Sequence, residues 1–359
     1  GLRVRTELAQ RAASEHDGRR VDRERALATE AGAIVVLTGT RHDDDGSATA
    51  AVGISTEPGD RTTANLRYHA RAMSNRRAQP DHALEKIADK SGFPLDLIRR
   101  AARAVERKGQ AVLVGPPGTG KTYLARELAR HLVAGDDGFF EVAQLHGSWS
   151  YEDFVRGYRP IRHADGSVSW PVHRGRFHLF CDEARTRRGI CVFVLDELHR
   201  ADLGRVFGEL VYLLEYRGES IPLAQGELPF EIPKNVRIVA TMSSAGQGRA
   251  LNDDVMRRRF AFIPIAPEPE VLRRFHAKTG FPVGGLLDAL GLANNAISDP
   301  RAHLGITYFL HENLSEEIED IWRFEIEPLL EERLDGRAEL MRPLRWDTIG
   351  RIIVPERAR

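Results

Sequence analysis

Between residues 94 and 107 apolar side chains recur at Leu95, Leu97, Ile98, Ala101, Ala102 and Val105, while arginines and acids fill most of the remaining positions. That spacing predicts an amphipathic helix over Pro94–Arg107, preceded by a shorter one over Ala83–Asp89. Gly109 breaks the pattern, and Ala111-Val112-Leu113-Val114 then runs without a polar interruption, as expected of a strand covered on both faces. A helical pattern returns over Tyr123–Val133, and Val192-Phe193-Val194-Leu195 forms another uninterrupted apolar run. Strand and helix patterns alternate in this way to about Pro267, which predicts an α/β domain on a mostly parallel sheet. From Glu268 to Arg359 the pattern is largely helical, with Ser315–Leu334 carrying an acidic face.

The first eighty residues differ. Their apolar periodicity is weak until Ala33–Leu37, which reads as a strand; Asp43-Asp44-Asp45-Gly46 is a turn signal, and Ala48–Ile54 reads as the returning strand. The expected organisation is therefore an appendage over residues 1–80 (a hairpin plus a basic linker), an α/β core over 81–267 and a helical domain over 268–359. Neither an internal repeat nor a low-complexity tract is evident.

Composition narrows the function. The 359 residues suit two compact domains or one large domain with appendages, and 52 Lys+Arg balance 52 Asp+Glu. Zero net charge argues against a general polyanion binder, and the arginine-rich stretch Arg67–Arg77 reads as a solvated basic linker. The two cysteines, Cys181 and Cys191, do not have metal-site spacing and exclude a disulfide-stapled secreted domain. The run Cys191–Leu195 is far too short to span a bilayer, and no signal-peptide pattern opens the chain, so no membrane association and a cytoplasmic location are expected. Residue 1 is glycine, so the chain reads as trimmed or as part of a longer protein.

The candidate chemistry lies in two places. Gly115-Pro116-Pro117-Gly118-Thr119-Gly120-Lys121-Thr122 fits G-x-x-x-x-G-K-[ST] between a strand and the helix that opens near Tyr123. Glycines let backbone N–H groups turn toward phosphate oxygens, and the helix N-terminus adds its positive end. Lys121 can reach β- and γ-phosphates, and Thr122 can ligate Mg²⁺. The second place is the strand ending in Asp196-Glu197. Asp196 is placed to hold Mg²⁺ through its water shell and Glu197 to polarise an attacking water. Two consecutive acids favour a nucleoside triphosphatase over a small-molecule kinase. Arg257-Arg258-Arg259 ends a further expected helix and is a candidate for stabilising charge from a neighbouring protomer.

These residues resemble those of AAA+ ATPases, and the segments around them resemble the McrB-like branch. Leu145–Pro160, which contains Ser150-Tyr151-Glu152-Asp153-Phe154 and Arg159-Pro160, is similar to that family's S-Y-x-D-F-x-x-G-x-R-P element. Asp196–Leu203 with Phe207-Gly208-Glu209-Leu210, Ile232–Val236 and Met256–Phe260 match further blocks in order and approximate spacing. The resemblance covers roughly residues 84–345. It implies an AAA+ P-loop core followed by a C-terminal helical lid, ATP or GTP as substrate with Mg²⁺, a homo-oligomer (a ring), and a separately encoded endonuclease subunit in a system that restricts modified DNA. It implies that DNA is reached through another domain or the partner, and that the catalytic set is Lys121, Glu197, Arg257, Arg258 and Ser243. The nucleotide contacts would come from Gly115 to Tyr123.

Two places depart from the family pattern, one of them a motif whose acidic and basic members are also missing. Ser243 replaces an asparagine expected near the γ-phosphate, within the divergent segment Met242–Gly248, and His199 stands where asparagine is common. The divergent segment favours ATP over GTP, and His199 reads as a structural or interface residue. The alternative function is that of a MoxR-like remodelling chaperone acting on a protein without DNA. A scaffold that binds nucleotide with little turnover is a third reading.

Overall fold

The computed structural model describes residues 27–28, 34–42, 48–53, 78–224, 228–244 and 254–354. The chain forms two units, Gly1–Asn75 and Arg76–Arg359. In the first, strands Leu27–Ala28, Ile34–His42 and Ala48–Gly53 form an antiparallel sheet in that order. The hairpin strand runs on to His42, beyond the apolar run ending at Leu37, because ladder pairing asks only for backbone groups. The turn Asp43–Gly46 and the stretch Arg67–Arg77 lie outside the described residues.

The second unit is built on a parallel sheet of five strands. In chain order they are β1 (Gln110–Gly115), β2 (Phe140–Gln144), β3 (Cys191–Asp196), β4 (Val236–Ser243) and β5 (Ala261–Pro264). Their spatial order is β5-β1-β4-β3-β2. Parallel neighbours need crossovers, and these place helices on both faces. On one face α1 (Leu84–Ser91), α2 (Leu95–Lys108) and α3 (Lys121–Val133) contribute Ile87, Ile98, Val105, Leu124 and Leu128 to a core that includes Val192 and Val194 of β3. Side chains alternate along a strand, so Phe193 points to the other face. There it meets Phe177 and Phe180 of α4 (Arg176–Ala184) with ring centres 5.3 and 4.8 Å away, and Phe154 stacks on Phe177 at 4.9 Å. Each of these fully buried rings contributes about 1.5–3 kcal/mol.

After α5 (Asp254–Arg259) and β5 the chain becomes helical: α6 (Pro269–Thr279), α7 (Val283–Ala296), α8 (Leu314–Ile321), α9 (Glu327–Arg333) and α10 (Trp346–Ile353). Leu286, Leu290, Phe309, Trp322, Leu330 and Ile349 form their shared core. The helical stretch expected over Ser315–Leu334 is present, with one local departure from α geometry. Trp322–Ile326 takes π-helical geometry between α8 and α9. Pro328 supplies the reason: it has no N–H to return to the carbonyl of Phe324, and its ring crowds that carbonyl.

Sheet register decides what comes together. Ser243 pairs with Gly115, and Leu195 with Ala240, so the carboxyl ends of β1, β3 and β4 lie side by side. Binding sites of open α/β sheets sit at this edge.

Candidate nucleotide site

The phosphate loop leaves β1 at Gly115 and enters α3 at Lys121. Gly118 (φ 77°) and Gly120 (φ 84°) occupy the left-handed region, where a side chain is strained. Gly115 is needed for a different reason, since a Cβ there would lie 1.9 Å from the carbonyl oxygen of Ile265. Lys121 is 7% exposed, and its Nζ donates to the carbonyl of Pro116 at 2.7 Å. Burial lowers its pKa, while the facing carboxylates of Glu197 and Asp196 pull it back up. The ammonium is thus folded over its own loop, between the backbone that would cradle phosphate and the acidic pair. Thr119 donates to the same carbonyl at 3.0 Å. Tyr123, in the first turn of α3, is exposed, with Lys90 Nζ 5.9 Å from its ring centre.

Asp196 ends β3, and its Oδ1 accepts two hydroxyl hydrogen bonds, from Thr122 at 2.7 Å and from Thr241 at 2.6 Å. Thr241 is fully buried on β4, and its hydroxyl also accepts from the Glu197 backbone N–H at 3.1 Å. No motif marks Thr241. A hydroxyl inside the apolar run Ile238–Met242 is the signal that could have found it, because such a group must have a partner. Thr122 and Asp196 offer hard oxygen donors in direct contact. This fits Mg²⁺, which keeps several waters and binds through one or two protein oxygens plus substrate phosphates.

Glu197 itself is in the left-handed region at φ 58°. Strained backbone of this kind is concentrated at functional sites. Its Oε2 lies 3.4 Å from Nε2 of His199, whose Nδ1 accepts the Ser243 backbone N–H at 3.3 Å. The structure therefore brings Lys121, Thr122, Asp196, Glu197 and Ser243 to one edge and adds Thr241 and His199. Residues 245–248 of the divergent segment lie outside the described residues.

The three arginines of α5 separate in space. Arg259 is half-buried, donating to the Val211 carbonyl at 2.7 Å and pairing with Glu215 at 3.0 Å. Arg258 is exposed but also pairs with Glu215, at 3.0 Å. Arg257 is exposed and makes no ion pair among the described residues. Successive helical residues point about 100° apart, so a run of three cannot share one task.

The helical domain touches the phosphate loop directly. The backbone N–H groups of Ile306 and Thr307 both donate to the carbonyl of Gly118, at 2.8 and 3.0 Å. Gly305 lies so close that a Cβ would sit 2.2 Å from the carbonyl carbon of Gly118. Nothing in the sequence signals this contact.

The Ser148–Pro160 element proves to be a packing knot. Ser150 and Asp153 form a reciprocal N-terminal cap for the turn Tyr151–Phe154, and Arg159 pairs back to Asp153 at 2.5 Å. Tyr151 donates its hydroxyl to Glu209 at 2.7 Å, which ties the element to the Phe207–Leu210 block. Trp149 is half-buried, edge-on to His146 and Phe154 at 6.1 and 6.2 Å.

Comparison with known proteins agrees with this geometry. Residues 110–260 match the AAA domain family of the dynein-related subfamily, and residues 286–342 match the McrB alpha-helical lid domain family. The chain is 38% identical over 196 residues to the Type IV methyl-directed restriction enzyme EcoKMcrB subunit of Escherichia coli (strain K12). That alignment covers 52% of this chain and 41% of the relative, so the chain spans less than half of the relative's length. The crystal structure of NtrX from Brucella abortus aligns with 11% identity over 81% of this chain and 55% of that one, with a TM-score of 0.31, too low to carry any argument.

Proposed function

The chain belongs to the McrB-like AAA+ NTPases, and from that premise we propose that it is the oligomeric, Mg²⁺-dependent motor of a restriction system, hydrolysing ATP in preference to GTP. The observation that carries this is the linked set Thr122–Asp196–Thr241, with Lys121 buried beside it and Glu197 pinned by its backbone to Thr241.

The chemistry follows from the positions. The turned-in backbone of Gly118–Thr122 and the Lys121 ammonium bind the phosphates. Thr122 and Asp196 hold Mg²⁺, which when bound neutralises charge on the phosphate oxygens. Glu197 accepts a proton from the attacking water. Hydrolysis at phosphorus rests mainly on positioning and charge stabilisation, and the exposed Arg257, with Arg258, supplies that charge from an adjacent protomer. Ser243, at the end of β4 beside Gly115, helps orient water near the γ-phosphate. The lid contact with Gly118 makes the helical domain responsive to the phosphate loop, and this is how turnover reaches a partner. That partner is a separately encoded endonuclease subunit, with DNA engaged through it or through another domain. The McrB-type lid favours this reading over a MoxR-like chaperone. Among the described residues no helix is long and apolar enough to cross a membrane.

The test is Mg²⁺-dependent hydrolysis of ATP and GTP by the wild type, Lys121→Ala and Glu197→Gln. Lys121→Ala should lose nucleotide binding, whereas Glu197→Gln should bind but lose most turnover. Equal turnover in wild type and Glu197→Gln removes the catalytic assignment. A GTP preference above about tenfold, or about 1.4 kcal/mol, reverses the nucleotide choice.

A further inference from the structure

His199 and Ser243, on separate elements, meet in space. His199 lies on the 3₁₀ turn Leu198–Arg200 just after the acidic pair, and Ser243 ends β4. The Ser243 N–H donates to His199 Nδ1 at 3.3 Å, and His199 Nε2 is 3.4 Å from Glu197 Oε2. A donor at Nδ1 fixes the tautomer: Nδ1 must offer its lone pair, so a neutral ring carries its proton on Nε2, toward the carboxylate. Burial lowers the pKa of His199 more than Glu197 raises it, which favours that neutral ring. Glu197 is then approached twice from the same strand. Thr241 hydrogen-bonds its backbone, and the imidazole that accepts the Ser243 N–H lies 3.4 Å from its carboxylate.

We propose that His199 is a positioning residue for Glu197, its imidazole transmitting the placement of the Ser243 backbone to the carboxylate that activates water. The inference rests on the catalytic reading of Glu197 given above. No proton leaves the imidazole in this role; its N–H orients the carboxylate oxygen, and the proton from water goes to Glu197.

The experiment measures kcat, KM and nucleotide affinity with Mg²⁺ for the wild type, His199→Ala, His199→Asn, Glu197→Gln and the His199→Ala/Glu197→Gln double variant. Misplacing a reacting group by about 1 Å costs on the order of 10²-fold, so kcat of His199→Ala should fall about 10–100-fold with affinity nearly unchanged. His199→Asn, which keeps one donor and one acceptor, should recover part of the loss. In the Glu197→Gln background His199→Ala should cost nothing further, since the group it positions is gone. Should His199→Ala lose nucleotide binding, His199→Leu fills the space without either polar atom and is read in the same way. Full turnover in His199→Ala or His199→Leu, or a loss that adds to that of Glu197→Gln, overturns the proposal. If Glu197→Gln alone turns over like the wild type, the catalytic reading of Glu197 fails first and takes this role with it. A silent His199→Ala beside a dead Glu197→Gln removes the positioning role alone.

Discussion

The contact between the lid and the phosphate loop predicts a large effect from one added methyl group. In Gly305→Ala the new Cβ would lie 2.2 Å from the carbonyl carbon of Gly118 and 2.3 Å from the carbonyl oxygens of Gly118 and Pro117. These are backbone atoms, so no side chain can swing aside; the lid turn and the loop must part by about 1 Å or more. Overpacking of this kind costs about 1–3 kcal/mol. Parting also breaks the hydrogen bonds from Ile306 and Thr307 to Gly118, at about 0.5–1.5 kcal/mol each. The docked lid should therefore lose about 2–6 kcal/mol relative to the undocked one. At 1.4 kcal/mol per factor of ten, nucleotide affinity should fall at least tenfold if the docked lid belongs to the binding state. Titration with a fluorescent nucleotide reads the affinity, and thermal unfolding reports whether the core stays folded. Gly291→Ala is the control, because its Cβ would meet nothing within 4 Å and its helical position in α7 favours alanine. Gly305→Ala binding nucleotide as tightly as Gly291→Ala would refute the reasoning.

Three further outcomes follow from single side chains. Thr241→Val removes a buried hydroxyl that serves both Asp196 and the Glu197 N–H, so it should cost about 1–3 kcal/mol of stability and raise the Mg²⁺ concentration needed for half-maximal turnover; an unchanged Mg²⁺ titration counts against the clamp. Arg259→Ala should lower the unfolding temperature, because it abandons the Val211 carbonyl and Glu215, whereas Arg257→Ala should leave that temperature unchanged and reduce turnover; the reverse pattern would exchange their roles. His178 is buried against Phe230, and that burial lowers its pKa from 6.5 to about 4, with Asp182 opposing the shift. The unfolded chain binds the proton first, so the contribution is full above pH 6.5 and is lost as pH falls toward 4; His178→Gln should flatten the melting-temperature profile in that window, and parallel profiles would contradict this.

The phosphate loop and the acidic pair were legible because their chemistry is written in consecutive residues, and the strand-loop-helix context could be read beside them. The buried strands were equally clear, since Val192–Leu195 has no polar face to expose. What stayed hidden depends on register between distant segments. Thr241 matters only because β4 lies beside β3, which brings its hydroxyl to Asp196. Gly305 looks like any lid glycine until the turn is seen against Gly118. The arginines read as one cluster, yet helical geometry draws Arg259 inward and leaves Arg257 exposed. By contrast, the helical stretch Ser315–Leu334 was plain, and Pro328 sits where its preceding turn leaves regular α geometry.

The most direct test of the account is the hydrolysis rate of a mixture of two inactive parents, Glu197→Gln and Arg257→Ala/Arg258→Ala. In a ring with head-to-tail contacts, about a quarter of the interfaces of an equal mixture join an intact Glu197 to a neighbour's intact arginines. A finger of this kind is worth about 10³–10⁵ in rate, so each parent should be close to silent while the mixture regains a measurable fraction of wild-type turnover. A mixture as inactive as its parents, despite demonstrated co-assembly, or a fully active monomer, would contradict a site shared between protomers.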